Sequence, residues 1–138
     1  MRVSPIAKGE SSPIKNTPID AAEVLIEFDK LQHRIGRNAD LLRDLISLFL
    51  SSQPKDIKAL RQAIEAGDVS RSKRIAHRIA GAFASLAMEI MAQSALEIEQ
   101  LATVGHLDEC KTCMTNLEAR FEIVKKQLAS ELGRLIGR

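Results

Sequence analysis

From Leu107 onward, apolar residues recur at Leu107, Cys110, Met114, Leu117, Phe121, Val124 and Leu128, alternating strictly between steps of three and four. A strand shows one face every second residue and cannot bury such a set, whereas a helix aligns it as one seam. This is the spacing of antiparallel bundle packing, so the seam requires neighbouring helices to cover it. Upstream segments supply them. A stripe of Leu42, Leu45, Phe49, Ile57, Leu60 and Ile64 predicts a long helix from Asn38, a suitable N-cap, to about Ala66. Pro54 falls inside it, predicting a kink or two abutting helices. Gly67-Asp68 reads as a stop and a cap before a helix from about Ser70 to Leu86. A fourth helix, about Met88 to Val104, carries Met91, Ala95, Ile98 and Leu101 and ends at Gly105; the last runs to about Leu132. Phe28, Leu31 and Ile35 mark a short first helix that stops at Gly36.

The expected fold is therefore all-α: an up-down-up-down antiparallel four-helix bundle with a short additional N-terminal helix capping one end. Composition agrees. Trp and Tyr are absent and only four Phe occur, so the core is aliphatic, and 138 residues suffice for one domain. The first nineteen residues hold three of the four prolines and no apolar period, which predicts a flexible tail or linker over 1–19 and a bundle over 20–138. No apolar run approaches a membrane span and no secretory segment opens the chain; with two cysteines and no disulfide framework, the expected compartment is the cytoplasm. The apolar run Leu48-Phe49-Leu50, with Leu41 and Ile46, exceeds what one bundle face buries. The first helix is expected to cover the surplus; any part left exposed would suit docking by a partner helix.

The helix over 70–86 departs from the pattern. Its buried stripe is Ile75 and Ala76, then Ile79, Phe83 and Leu86, which turns His77 toward solvent. On the face of His77 the sequence stacks Lys73 and Arg74 before it, then Ala80, Gly81 and Ala84 after it. A mid-helix Gly costs about 1 kcal/mol relative to Ala, and three small residues in line leave a flat where another backbone can approach. From Val69 to Met88 there is no acid, yet Arg71, Lys73, Arg74 and Arg78 give a local +4 in a chain whose total is +2. An exposed, uncharged imidazole is a usable nucleophile whose N–P adduct is a reactive phosphoryl carrier, and nearby cations offset the added charge. A solvated histidine on a basic helix would show the same spacing.

The string AHRIAGAFASLA resembles the signature of histidine-containing phosphotransfer (HPt) domains, Ala-His-x-Leu-Lys-Gly followed by small residues and a Leu-Gly-Ala ending. Ala76, His77, Ile79 (for Leu), Gly81, Ala82 and Leu86 match in register. The resemblance extends from about Phe28 to Leu128: FDKLQHRIGRNADLLRDLISLF is similar to the family's opening, AIEAGDVSRSKRIAHR to its turn into the histidine helix, and IEQLATVGHLDE to its fourth-helix exit. It implies that His77 accepts a phosphoryl group from a receiver-domain aspartate and passes it to another receiver. The receivers, of response regulators or hybrid sensor kinases, would supply the acidic pocket and Mg²⁺. The chain itself would be a carrier without a bound cofactor or metal, working as a monomer without nucleic acid or membrane. Gly81, Ala80 and Ala84 would give docking clearance, and Lys73, Arg74 and Arg78 the phosphate's surroundings.

One position departs from the family: its Lys three residues after the histidine is Ala80 here. Lys73 and Arg74, one turn before His77, are placed to substitute. The departure also leaves open a binding module that docks receivers without carrying phosphate. A sensor-kinase phosphoacceptor helix fits less well, since Arg78 stands where such helices place an acid. Nucleic-acid binding through the basic helix lacks aromatic partners for stacking. Cys110 and Cys113, with His106 one turn earlier, invite a zinc or redox reading; Cys110 lies in the buried seam and no second pair follows, so core packing is expected.

Overall fold

The computed structural model describes residues 23–137; the expected tail over 1–19 lies outside them. Five helices follow in order: α1 Phe28–Arg34, α2 Ala39–Glu65, α3 Val69–Ser85, α4 Glu89–Thr103 and α5 Leu107–Ile136. No strand occurs among the described residues, and none of their helices is long and apolar enough to cross a membrane. Each long helix packs on the next in sequence, and α2 closes the ring by packing on α5. Short turns with that closure make the antiparallel four-helix bundle the apolar periods require.

The helix boundaries follow local chemistry. The Asn38 side chain accepts from the Leu41 N–H and that of Asp68 from the Arg71 N–H, capping α2 and α3. Gly36, Gly67 and Gly105 all adopt positive φ at helix ends, the conformation a reversal needs and glycine allows without strain. Pro54 is accommodated within one continuous α2, so the alternative of two abutting helices does not hold. The α5 helix runs one turn beyond the expected Leu132, through Gly133 to Ile136.

The core joins all four bundle helices. Leu42, Ile46, Leu60, Ile79, Phe83, Met91, Ile98, Met114, Leu117 and Leu128 are fully buried. Phe49, Phe83 and Phe121 form a tilted triangle with centroids 5.9–6.4 Å apart, tying α2, α3 and α5 together at the favoured aromatic geometry. The two helices that share the most extensive packing, α3 and α4, bury small side chains: Ser72, Ala76 and Ala80 on one, Ala92, Ser94, Ala95 and Ala102 on the other. Small residues let helix axes approach closely, which brings side chains across the α3–α4 groove within reach of one another.

The first helix does not cover the surplus of α2. It seats Leu31 in the core at the α3–α4 turn, where Arg34 donates to the Ala84 carbonyl at 2.8 Å and Lys30 and Arg34 flank Glu89. Ile46 is buried, but Leu48 remains 65% exposed and Leu41 also faces solvent. Seven residues, committed to the far turn, cannot also reach along α2.

The segment leading into α1 is held by an ion pair. Fully buried Arg120 on α5 donates from Nε and Nη2 to the two carboxylate oxygens of Glu23, both at 3.0 Å. Removing Glu23 strands a fully buried guanidinium in low dielectric, whereas removing Arg120 strands a carboxylate that is 15% exposed and has access to water. Glu23→Ala is expected to lower stability by about 3 kcal/mol and Arg120→Met by less, as measured by urea unfolding of the two variants.

Candidate functional site

Helix α3 presents His77 midway along its length, with its side chain 73% exposed. The neighbours on α3 sort as follows. Arg74, one turn before, is exposed; Lys73 is half-buried; Gly81, one turn after, is exposed; Ala84 is half-buried. Gly81 has open space where a Cβ would stand, so the surface beside the imidazole is flat. Ser70, Lys73, Arg74, His77 and Glu99 line a shallow depression of about 360 Å³.

Ala80 is not part of that flat. It is 5% exposed and belongs to the core. Three residues from His77 it lies about 60° round the helix, and the close approach of α4 covers that side. Gly81 and Ala84 are left as the small residues beside the histidine.

The acid-free stretch acquires acids from its neighbours. From α4, the Glu99 Oε1 lies 3.2 Å from His77 Nδ1. On the opposite flank Arg78 donates to Asp56 of α2 at 2.9 Å, which draws that guanidinium away from the histidine. Of the four cations, Lys73 and Arg74 therefore line the histidine's depression and Arg78 does not. Sequence reading passed over both acids, although a signal existed. In an antiparallel hairpin, residues equidistant from the turn sit level: His77 and Glu99 each stand eleven positions from Met88, and Asp56 and Arg78 each eleven from Gly67.

The remaining histidines and the cysteines do not join this site. His33 is exposed on α1, and His106, exposed at the α5 N-terminus, pairs with Glu109 at 2.9 Å. Cys110 and Cys113 are buried thiols that form no disulfide. Cys110 Sγ donates weakly to the Ile98 carbonyl at 3.6 Å, and burial, aided by the Glu109 charge, pushes its thiol up to about 11. Among the described residues no three of His, Cys, Asp and Glu gather as a metal-ligand set. The thiolate, the form that binds metal or exchanges disulfide, is thus disfavoured at neutral pH.

Taken by its geometry, the site belongs to a class: helical bundles that hold one solvent-facing histidine on a rigid helix, between a carboxylate and cations, beside a flat surface. The family model of the Hpt domain matches residues 44–136, which include His77 and Glu99. The chain belongs to the Hpt domain family. Its fold is similar to that of histidine-containing phosphotransfer protein B (HptB) from Pseudomonas aeruginosa PAO1, with a TM-score of 0.75 and 22% identity over 83% of this chain and 98% of that one. A search of curated proteins found no match.

The raised thiol of Cys110 has a sign that can be checked. Its contribution to stability is complete below the ordinary value of 9.0 and is lost as pH rises through about 11, because the unfolded chain ionises first. Between those values the parent protein is expected to lose more stability than Cys110→Ala, measured as the shift of urea midpoint at pH 8 and pH 10.5.

Proposed function

We propose that this protein is a histidine phosphotransfer intermediate of a two-component phosphorelay, in which His77 takes a phosphoryl group from a receiver-domain aspartate and hands it to a second receiver. The observation that carries the reading is His77 itself: well exposed in mid-helix, clear of the core, with Gly81 beside it and Lys73 and Arg74 lining its depression. In the loading step an imidazole nitrogen forms the N–P bond while the P–O bond to the aspartate breaks. The aspartate carboxylate departs with that electron pair. The receiver contributes the acidic pocket and Mg²⁺, so the chain acts as a carrier rather than an enzyme. The cytoplasm is the compartment in which we take it to work, as a monomer.

Two features support receiver docking at this face. A groove of about 240 Å³ between α2 and α3 is lined by Leu45, Leu48, Phe49, Ala82 and Leu86 among others, and it lies beside the Gly81 flat. The exposed Leu48 gives it an apolar edge of the kind a partner helix covers.

Ala80 deprives the site of the Lys that the family places there, and the burial of Ala80 supports a division of labour in which Lys73 and Arg74 take over the phosphoryl charge.

Incubation with phosphorylated cognate receiver is expected to put acid-labile, base-stable phosphate on the protein, and His77→Gln to abolish it. Full labelling of that variant would sink the assignment, and a folded protein that binds receivers yet never labels would make it a docking module. Combined Lys73→Ala and Arg74→Ala substitutions are expected to slow transfer about tenfold, equivalent to about 1.4 kcal/mol of transition-state stabilisation. Unchanged single-turnover transfer in the double variant would remove both residues from the site.

A further inference from the structure

One residue on the core stripe of α2 breaks its chemistry. The buried apolar positions step from Phe49 to Ile57, and the residue midway between them is Gln53. It is 5% exposed, and its side-chain oxygen is buried without a hydrogen-bond partner. Leaving a buried amide oxygen unpaired costs about 1–3 kcal/mol, a penalty that an unbranched apolar side chain such as Met would not carry. Gln53 also lines the groove of about 240 Å³ between α2 and α3, together with half-buried Ser52 and with Ser85, whose hydroxyl donates to the Gly81 carbonyl. Of the described residues lining this groove, Gln53 is the one with a buried polar atom left unmet.

The groove lies where a phosphoryl partner has to sit. Ala82 and Ser85 stand on α3 beyond His77 by about 8 and 12 Å along the helix axis. A stable interface covers about 800 Å² of each partner, which is a patch about 16 Å in radius when centred on the histidine. A receiver that brings its aspartate to His77 therefore also covers the groove and the exposed edge at Leu48.

We infer that Gln53 is a specificity-determining residue: its carboxamide is completed by a hydroxyl or carboxamide side chain on the docking face of the partner receiver, a face otherwise apolar where it fills the groove. The inference rests on receivers docking over His77. A carboxamide both donates and accepts, and its terminal torsion is broad and roughly two-fold, so a half turn exchanges the oxygen and the NH₂ within one space. A hydroxyl or a second carboxamide also does both, and so matches whichever end of Gln53 faces the groove. An apolar side chain fills the same volume but leaves the oxygen unmet. A carboxylate would have to lose its water among Leu48, Phe49 and Leu86. Because the oxygen is already unpaired in the free protein, a matching receiver relieves a penalty that the others leave standing, and the difference falls on affinity.

Gln53→Met keeps the length of the side chain and removes the amide. Its urea midpoint is expected to rise, because the unpaired oxygen is gone. The concentration of phosphorylated receiver that gives half-maximal transfer is expected to rise about tenfold for the receiver the unmodified protein prefers and less for the others, so that the preference narrows. In the unmodified protein the side-chain carbonyl ¹³C signal of Gln53 is expected to move downfield on saturation with the preferred receiver. A lowered urea midpoint would mean that the oxygen is satisfied in the free protein, and an unmoved carbonyl signal or an unchanged receiver preference would deny the contact; each overturns the inference. Loading by phosphoramidate, a small donor that requires no docking, separates a structural effect: a fall there matching the fall in receiver transfer would overturn it too. If no receiver puts phosphate on His77 of the unmodified protein, the carrier reading fails instead, and the carbonyl signal still reports whether Gln53 meets a bound receiver.

Discussion

The close packing of α3 on α4 is the constraint on which the site depends. Ser72, Ala76 and Ala80 facing a helix rich in Ala leave no bulk to hold the two backbones apart. At that separation a glutamate on one helix reaches a histidine on the other without crossing open solvent. The same packing explains the fate of Ala80. A long cationic side chain at that position would have to leave through the α3–α4 groove, beside Glu99, whereas the alanine here fills the interface. The position that serves charge in the family serves packing in this chain.

Charge is managed by geometry rather than by composition. The α3 sequence is uniformly basic, but its cations separate into two groups once the neighbouring helices are in place. Asp56 engages Arg78 on the α2 side, and Lys73 and Arg74 share a depression with His77 on the α4 side. Exposed pairs of this kind add at most about 1 kcal/mol to stability. Their consequence is directional: Lys73, Arg74 and the Glu99 carboxylate gather at one depression beside the imidazole, while Arg78 is held away from it by Asp56.

Much of the fold was legible because it is written in local chemistry. The three glycines at positive φ, the Asn38 and Asp68 caps, and the three-four alternation in α5 each act within a few residues. The turn between α3 and α4 was less legible, because its left-handed residue is Ala87, at φ 59 and fully buried. A non-glycine residue there costs roughly 1–2 kcal/mol, offset by burial of its methyl group and by the hydrogen bonds from Met88 N–H to the Phe83 carbonyl and from Glu27 N–H to the Ala87 carbonyl. No turn signal marks Leu86-Ala87-Met88, since tertiary contacts hold it. The exposure of Leu48 was equally hidden, because it depends on where α1 docks.

By itself, the sequence determined the helix count, the seams, the family resemblance and the histidine that faces solvent, since periodicity and capping are properties of neighbours along the chain. Only the tertiary structure decided what surrounds that histidine. Glu99, Asp56 and the burial of Ala80 are set by which helix lies on each side of α3 and how closely. An interaction between residues twenty-two positions apart is invisible to a 3.6-residue period, and it becomes chemistry only when a turn folds one helix back along another.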